Sequence, residues 1–290
     1  VAAMPSLHAG IAFLVAFCFT PIMRSVAIFY NIVDKPDLVR KLHAQPVAYL
    51  GGVAVFLGWL AGLAMTQFVS VHHLNIGLDD RLRVPIAVVV AAVIVVVLGL
   101  SDDIKHIRPR TKIFGQLLAG AALLSAGIGT DVLALVVNNV ALRLDVKLGL
   151  EISPAIVAAI TYVSSSALTL VLVVFCCNAS NLMDGLDGLC GGVTGIIAMG
   201  FVFLSVIVAT RGGKYVSLDA LAAVINDDGL RVVISLALLG AILGFVPYNF
   251  NPASIFMGDA GSMFLGFSVA LLILMVGSVS YTHLTLPTKA

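Results

Sequence analysis

Residues 84–105 read VPIAVVVAAVIVVVLGLSDDIK, an uncharged run from Val84 to Leu100 that turns at once to Ser101-Asp102-Asp103-Ile104-Lys105. A helix of that length crosses most of a hydrocarbon layer about 30 Å thick. Seven comparable runs lie on either side of it: 7–30, 48–70, 113–130, 154–177, 189–210, 230–247 and 262–279. Of the 290 residues, 60% are hydrophobic and 11% charged, against about 25% charged in a soluble domain. Mean hydropathy is +1.11. The expected fold class is therefore an all-α polytopic membrane protein of about eight transmembrane helices, with the lipid bilayer as its solvent. A formal net charge of +1 supplies no field for nucleic acid. Cys18, Cys176, Cys177 and Cys190 sit in or beside apolar runs without metal-site spacing and read as packing residues. The first run is too long, and lacks the basic start, for a cleavable signal peptide.

Alternation of the spans gives a topology. Loops 31–47, 101–112, 178–188 and 248–261 share one side, and loops 71–83, 131–153 and 211–229 the other. Lys and Arg divide seven to six, but seven to four over the first two loops of each side, which favours the first set as cytoplasmic. In loop 131–153, Asn138-Asn139 is followed by alternating apolar and polar residues from Ala141 to Leu148. That pattern predicts a small β-hairpin on the outer face near 132–148.

The first set of loops holds the chemistry. It carries Asp102 and Asp103, then Asn178, Asn181, Asp184, Gly185 and Asp187, then Phe256, Gly258 and Asp259. Carboxylates at a membrane boundary are costly unless paired or bound to a cation. Several in one place ask for a counter-ion. The absence of a Cys/His cluster argues against zinc, whereas carboxylate and amide oxygens suit Mg²⁺, with Mn²⁺ as an alternative. The glycines of these loops suit a backbone that approaches phosphate oxygens closely, and Lys112 is placed to neutralise a phosphate. His43 lies in a basic loop on the same side.

At these motifs the sequence resembles the polyprenyl-phosphate N-acetylhexosamine-1-phosphate transferase family. The matching stretches are RKLHAQPVAYLGG (40–52), LGLSDDIK (98–105), NASNLMDGLDGL (178–189) and NFNPASIFMGDAGSMFLG (249–266). The histidine-bearing first stretch is more similar to the bacterial GlcNAc-1-phosphate branch, near undecaprenyl-phosphate GlcNAc-1-phosphate transferases. The resemblance implies a Mg²⁺-dependent enzyme of the bacterial inner membrane with its active site on the cytoplasmic face. Its substrates would be a UDP-N-acetylhexosamine and undecaprenyl phosphate. UMP would leave, in the first membrane step of cell-surface glycan synthesis. It also implies roles. Asp259 would be the principal metal ligand, with Asp184 and Asn181 beside it. Asp102 would act on the lipid phosphate, with Asp103 and Asp184 in the catalytic group. Lys112 would hold a phosphate, and Gly185 and Asp187 would contact the nucleoside. Phe256 would stack on uracil, with Asn178 and His43 also binding substrate. A homodimer is compatible with it. Tyr49 stands where this family often has Arg.

The resemblance further implies helices and a histidine-bearing loop beyond residue 279. Residues 280–290 do not match it. Residues 1–279 therefore read as one transferase domain incomplete at its C-terminus, 280–290 as a non-family tail, and the chain as given is expected to lack transferase activity. Two alternatives compete. One is phospho-MurNAc-pentapeptide transfer within the same chemistry. The other is a membrane cation transporter, disfavoured because the spans 48–70, 84–100, 154–177 and 262–279 contain no Asp, Glu, Lys or Arg.

Overall fold

The computed structural model describes residues 4–34, 46–72, 84–148, 153–211 and 229–284. Within them the chain forms α1 (Met4–Phe29), β1 (Val33–Asp34), β2 (Val47–Ala48), α2 (Gly51–His72), α3 (Ile86–Lys105), α4 (Pro109–Ser125), α5 (Ala134–Leu148), α6 (Pro154–Met183), α7 (Leu189–Arg211), α8 (Gly229–Asn249) and α9 (Gly258–Leu284). Each of the eight expected spans corresponds to one helix. Helices α1, α3, α6, α8 and α9 are long and apolar enough to cross a membrane, and α2 and α7 contain shorter apolar stretches. The outward side chains are apolar as a bilayer requires: Ile86, Phe114, Val163, Val171, Phe175, Ile196 and Phe203 are exposed. The chain is a multi-pass membrane protein.

Three boundaries differ from expectation, and each matters for the site. Helix α4 begins at Pro109, because a proline at the first helical position loses no hydrogen bond. Lys112 therefore lies in its first turn. Helix α6 continues to Met183, so Asn178 and Asn181 are helical residues on one face. Helix α9 begins at Gly258, which puts Asp259 in its first turn.

The predicted hairpin near 132–148 is not formed: residues 134–148 are helix α5. The alternating run is also rich in Ala, Leu, Arg and Lys, which favour helix. A lone hairpin is at best marginal without a further strand or a packing face. The turn before α5 is tied to α6, with Ser165 Oγ accepting from Leu133 N–H at 3.0 Å and Thr169 Oγ1 donating to the Gly129 carbonyl at 2.9 Å. The two-stranded antiparallel sheet lies elsewhere, between α1 and α2, pairing Val33 with Ala48 and Asp34 with Val47.

Helix α9 is the hub. Met263, Phe264, Leu265, Phe267, Ala270, Leu271, Leu272 and Leu274 are buried, and it packs on α2, α3 and α6. Close approach needs small residues. A Cβ on Gly99 of α3 would lie 2.5 Å from the main chain of Asp259 and Ala260, and one on Gly266 would collide with the Cys176 carbonyl of α6. Main chain against main chain thus fixes the first turn of α9 beside the last turns of α3.

Candidate active site

The last turn of α3 organises the site. His106 takes a left-handed conformation (φ 49°) and donates its N–H to the Asp102 carbonyl at 2.9 Å. The Asp102 Oδ1 accepts from Ile107 N–H at 2.7 Å. This turn reverses the chain into α4 and swings Lys112 back over the α3 terminus. There Lys112 Nζ lies 2.5 Å from Asp102 Oδ2 and 2.6 Å from Asp259 Oδ2. Asp103 points at α9 and accepts from the Asp259 and Ala260 N–H groups at 2.8 and 3.1 Å. A carboxylate from a neighbouring helix thereby caps the positive end of α9.

From α6, Asn181 Nδ2 donates to Asp259 Oδ1 at 2.7 Å and to Ser262 Oγ at 3.1 Å. Both Asp259 oxygens are thus held, one by an ammonium and one by an amide. Asp184, one residue past α6, is half-buried. Burial, followed by the charges of Asp259, Asp103 and Asp187, pushes its carboxyl up to about 8. Asp187 accepts through one oxygen from Asn251 Nδ2 (3.0 Å) and Ala253 N–H (3.1 Å). It therefore holds the loop between α8 and α9. Asn249 braces the same loop, accepting from Gly188 N–H and donating to the Ile255 carbonyl. Phe256 donates its N–H to the Ala48 carbonyl of β2 at 2.7 Å, and its ring centroid lies 6.0 Å from that of Tyr49.

The structure brings Asp102, Asp103, Lys112, Asn181 and Asp259 into direct contact, and Asp184 lies within reach of their charges. It gives Asp187 and Phe256 to the adjoining loop. Gly185 is exposed, with open space where a side chain would stand. Asn178 faces Gln116 of α4 rather than the carboxylates. His43 lies outside the described residues. Three further residues bear on the site. Arg24, near the end of α1, donates from its Nε to the Ser254 carbonyl of the loop at 3.0 Å. Tyr49 hydrogen-bonds Asp34 through its hydroxyl, and burial together with that carboxylate raises the phenol above its ordinary range. Gln116 is a buried polar residue among the apolar residues of α4, a signal legible in the sequence.

Among the described residues, no three carboxylate, imidazole or thiolate groups already converge as a ligand cage. The donors are nonetheless the kind a hard cation takes. Asp259, Asp184 and the Asn181 amide supply oxygen only, and the charges bearing on Asp184 are all like its own. A cation there would relieve that repulsion.

The raised Asp184 carboxyl has a consequence for stability. Its folded value, about 8, exceeds the ordinary 3.8. The folded state therefore holds the proton more tightly between those limits, and stability falls as pH rises through that window. In chelator, Asp184→Asn is expected to remove this loss, so that its melting-temperature advantage over the parent grows between pH 5 and pH 8. Parallel melting profiles across that range would contradict it.

Helices spanning a bilayer, with an acidic, lysine-bridged cluster where four helix ends meet, define a membrane protein suited to anionic, phosphate-bearing ligands. The chain belongs to glycosyl transferase family 4, whose profile matches residues 85–277. A Bacillus subtilis protein named probable undecaprenyl-phosphate N-acetylglucosaminyl 1-phosphate transferase is 32% identical over 91% of this chain and 61% of its own length. A Mycolicibacterium smegmatis decaprenyl-phosphate N-acetylglucosaminephosphotransferase is 32% identical over 93% of this chain and 58% of its own. The chain thus spans about three-fifths of these relatives. A phospho-N-acetylmuramoyl-pentapeptide-transferase of Bacillus cytotoxicus is 26% identical over 93% of this chain and 78% of its own length.

Proposed function

We propose that the chain carries the active site of an enzyme that transfers N-acetylhexosamine-1-phosphate from a UDP-sugar to a polyprenyl phosphate, undecaprenyl phosphate in the first instance, releasing UMP on the cytoplasmic face. The observation that carries this is the single Lys112 ammonium bridging Asp102 and Asp259, from two different helix ends. An oxygen of the lipid phosphate forms a bond to the sugar-linked phosphorus. The bond from that phosphorus to the bridging oxygen breaks, and UMP carries the electron pair away. Catalysis of such a transfer is mainly positioning and charge neutralisation. Asp102, held by Lys112 and the Ile107 N–H, is the group that orients or deprotonates the attacking phosphate. Lys112 exchanges a carboxylate for a phosphate oxygen as the ligand arrives. Asp259, Asp184 and Asn181 would hold Mg²⁺ or Mn²⁺, which would supply charge neutralisation for the diphosphate. Phe256, with Tyr49 beside it, receives the uracil, and Asp187 and Gly185 border it.

The test is Mg²⁺-dependent UMP release with formation of a lipid diphosphosugar from UDP-GlcNAc and undecaprenyl phosphate. It is run on this chain and on a chimera carrying the C-terminal part of the Bacillus subtilis relative after residue 279. No lipid-linked product from either would refute the reading. The Bacillus cytotoxicus relative favours a second reading, phospho-MurNAc-pentapeptide transfer to the same carrier, and competition between the two sugar nucleotides separates them.

The same assay divides the roles of two residues. Phe256→Ala is expected to weaken UDP-sugar binding by roughly the 1–3 kcal/mol of a lost base–aromatic stack, with turnover little changed. Asp102→Asn is expected to depress kcat with KM for the UDP-sugar nearly constant. The opposite pattern would exchange their roles.

A further inference from the structure

Gln116 is fully buried in α4, with 0% of its surface exposed. Its Oε1 accepts from Asn178 Nδ2 of α6 at 2.8 Å, and the same Nδ2 reaches the Val174 carbonyl at 2.7 Å. The Gln116 Nε2 meets no acceptor. A buried donor left unsatisfied is costly, and polar residues among membrane helices are rare unless they serve function. Packing does not require an amide here, since its buried neighbours Gly115, Ala119 and Gly120 are small and apolar.

The register explains the amide. Gln116 follows Lys112 by four residues on α4, and Asn178 precedes Asn181 by three on α6. Each pair is therefore stacked on one helix face, roughly 6 Å apart along the axis in α4 and roughly 4.5 Å in α6. Two polar rungs join the helices. The outer one is Lys112–Asp259–Asn181, and the inner one is Gln116–Asn178. Lys112 and Asn181 reach different oxygens of the same carboxylate at 2.6 and 2.7 Å, so the approach of α4 to α6 bears on both contacts.

We propose that the Gln116–Asn178 bridge is the positioning element that sets the α4–α6 spacing and so lets Lys112 and Asn181 converge on Asp259. Neither residue touches the reacting atoms; both act through Lys112 and Asn181. The catalytic consequence rests on the proposed transferase reading, whereas the spacing does not.

The test is a swap. Gln116→Asn shortens the bridge by one methylene, Asn178→Gln lengthens it, and the double variant restores its length without introducing charge. The first readout is the distance between spin labels at Arg110→Cys on α4 and Leu182→Cys on α6. Cys18→Ser and Cys176→Ala remove the more accessible native thiols; Cys177 and Cys190 are buried. The single variants and Gln116→Leu are expected to shift or broaden the distance distribution, and the double swap to recover the parent's. The second readout is UMP release by the form that turns over. The single variants should lose on the order of 10- to 100-fold in kcat, the range a small misplacement costs, with KM for the UDP-sugar within about twofold. The swap should recover most of that loss. An unchanged distance in Gln116→Leu would overturn the proposal. So would a loss in Asn178→Gln that appears in KM and is not recovered by Gln116→Asn, because Asn178 would then be touching substrate. Absence of turnover in both parent forms would refute the transferase reading alone, since the label distances still decide the spacing.

Discussion

Asp259→Asn is expected to slow Mg²⁺-dependent UMP release on the order of 10³-fold or more while the protein stays folded. Removing a single preorganised group that stabilises transferred charge costs about 10²–10³, and this substitution removes more than one function. The carboxylate accepts from Lys112 through Oδ2 and from Asn181 through Oδ1. An asparagine offers one oxygen, so its amide nitrogen must face either the ammonium or the Asn181 amide, donor against donor. Its weaker oxygen also makes a poorer ligand for a hard cation. Folding should survive, because the first turn of α9 is capped by Asp103 through main-chain N–H groups that the substitution leaves in place. The check is the rate across a Mg²⁺ titration together with the melting temperature. Near-normal turnover at low Mg²⁺ would remove Asp259 from its proposed place as the principal ligand.

Gly99→Val is expected to destabilise the protein at or beyond the upper end of the roughly 1–3 kcal/mol typical of overpacking. The reason is what the new side chain meets. A Cβ there would lie 2.5 Å from the Ala260 Cα, the Ala260 nitrogen and the Asp259 carbonyl. None of these is the end of a flexible side chain that can swing aside. Helices α3 and α9 must part, and parting them breaks the Asp103 cap and draws Asp259 away from Lys112. Stability and turnover should therefore fall together. Gly200→Ala on α7 is the control, since nothing lies within 4 Å of the added methyl, and a helical Gly→Ala change gains up to about 1 kcal/mol. Thermal unfolding in detergent compares the two. Equal melting temperatures for Gly99→Val and the parent would mean that the α3–α9 approach is softer than the main-chain contacts imply.

Much of this was legible in the residues. Long uncharged runs such as 84–100 have few alternatives in water, so span number and the side on which Asp102, Asp184 and Asp259 emerge followed from hydropathy and parity. Boundaries were less legible, because Pro109, Gly258 and the polar end of α6 extend helices past the edge of the apolar signal. The hairpin near 132–148 failed for a related reason. Alternation over eight residues fits strand or amphipathic helix, and only partners decide between them. Near residues 132–148 the partner is α6, through Ser165 and Thr169, not a second strand.

A bundle of membrane helices with its acidic motifs gathered on one side follows from the residues alone, because hydrophobic length and chain alternation are local properties that need no knowledge of packing. Which oxygen meets which donor depends on how the helices pack. Asp102 and Asp103 are adjacent in the chain, yet one is ion-paired with Lys112 and the other caps α9, since neighbouring residues on a helix point about 100° apart and face different helices. Asn178 and Asn181 look alike in the motif, yet one reaches Gln116 and the other Asp259. Those assignments depend on how closely α3, α4, α6 and α9 approach, and that is set by small residues such as Gly99 and Gly266, whose effect appears only when the helices are packed.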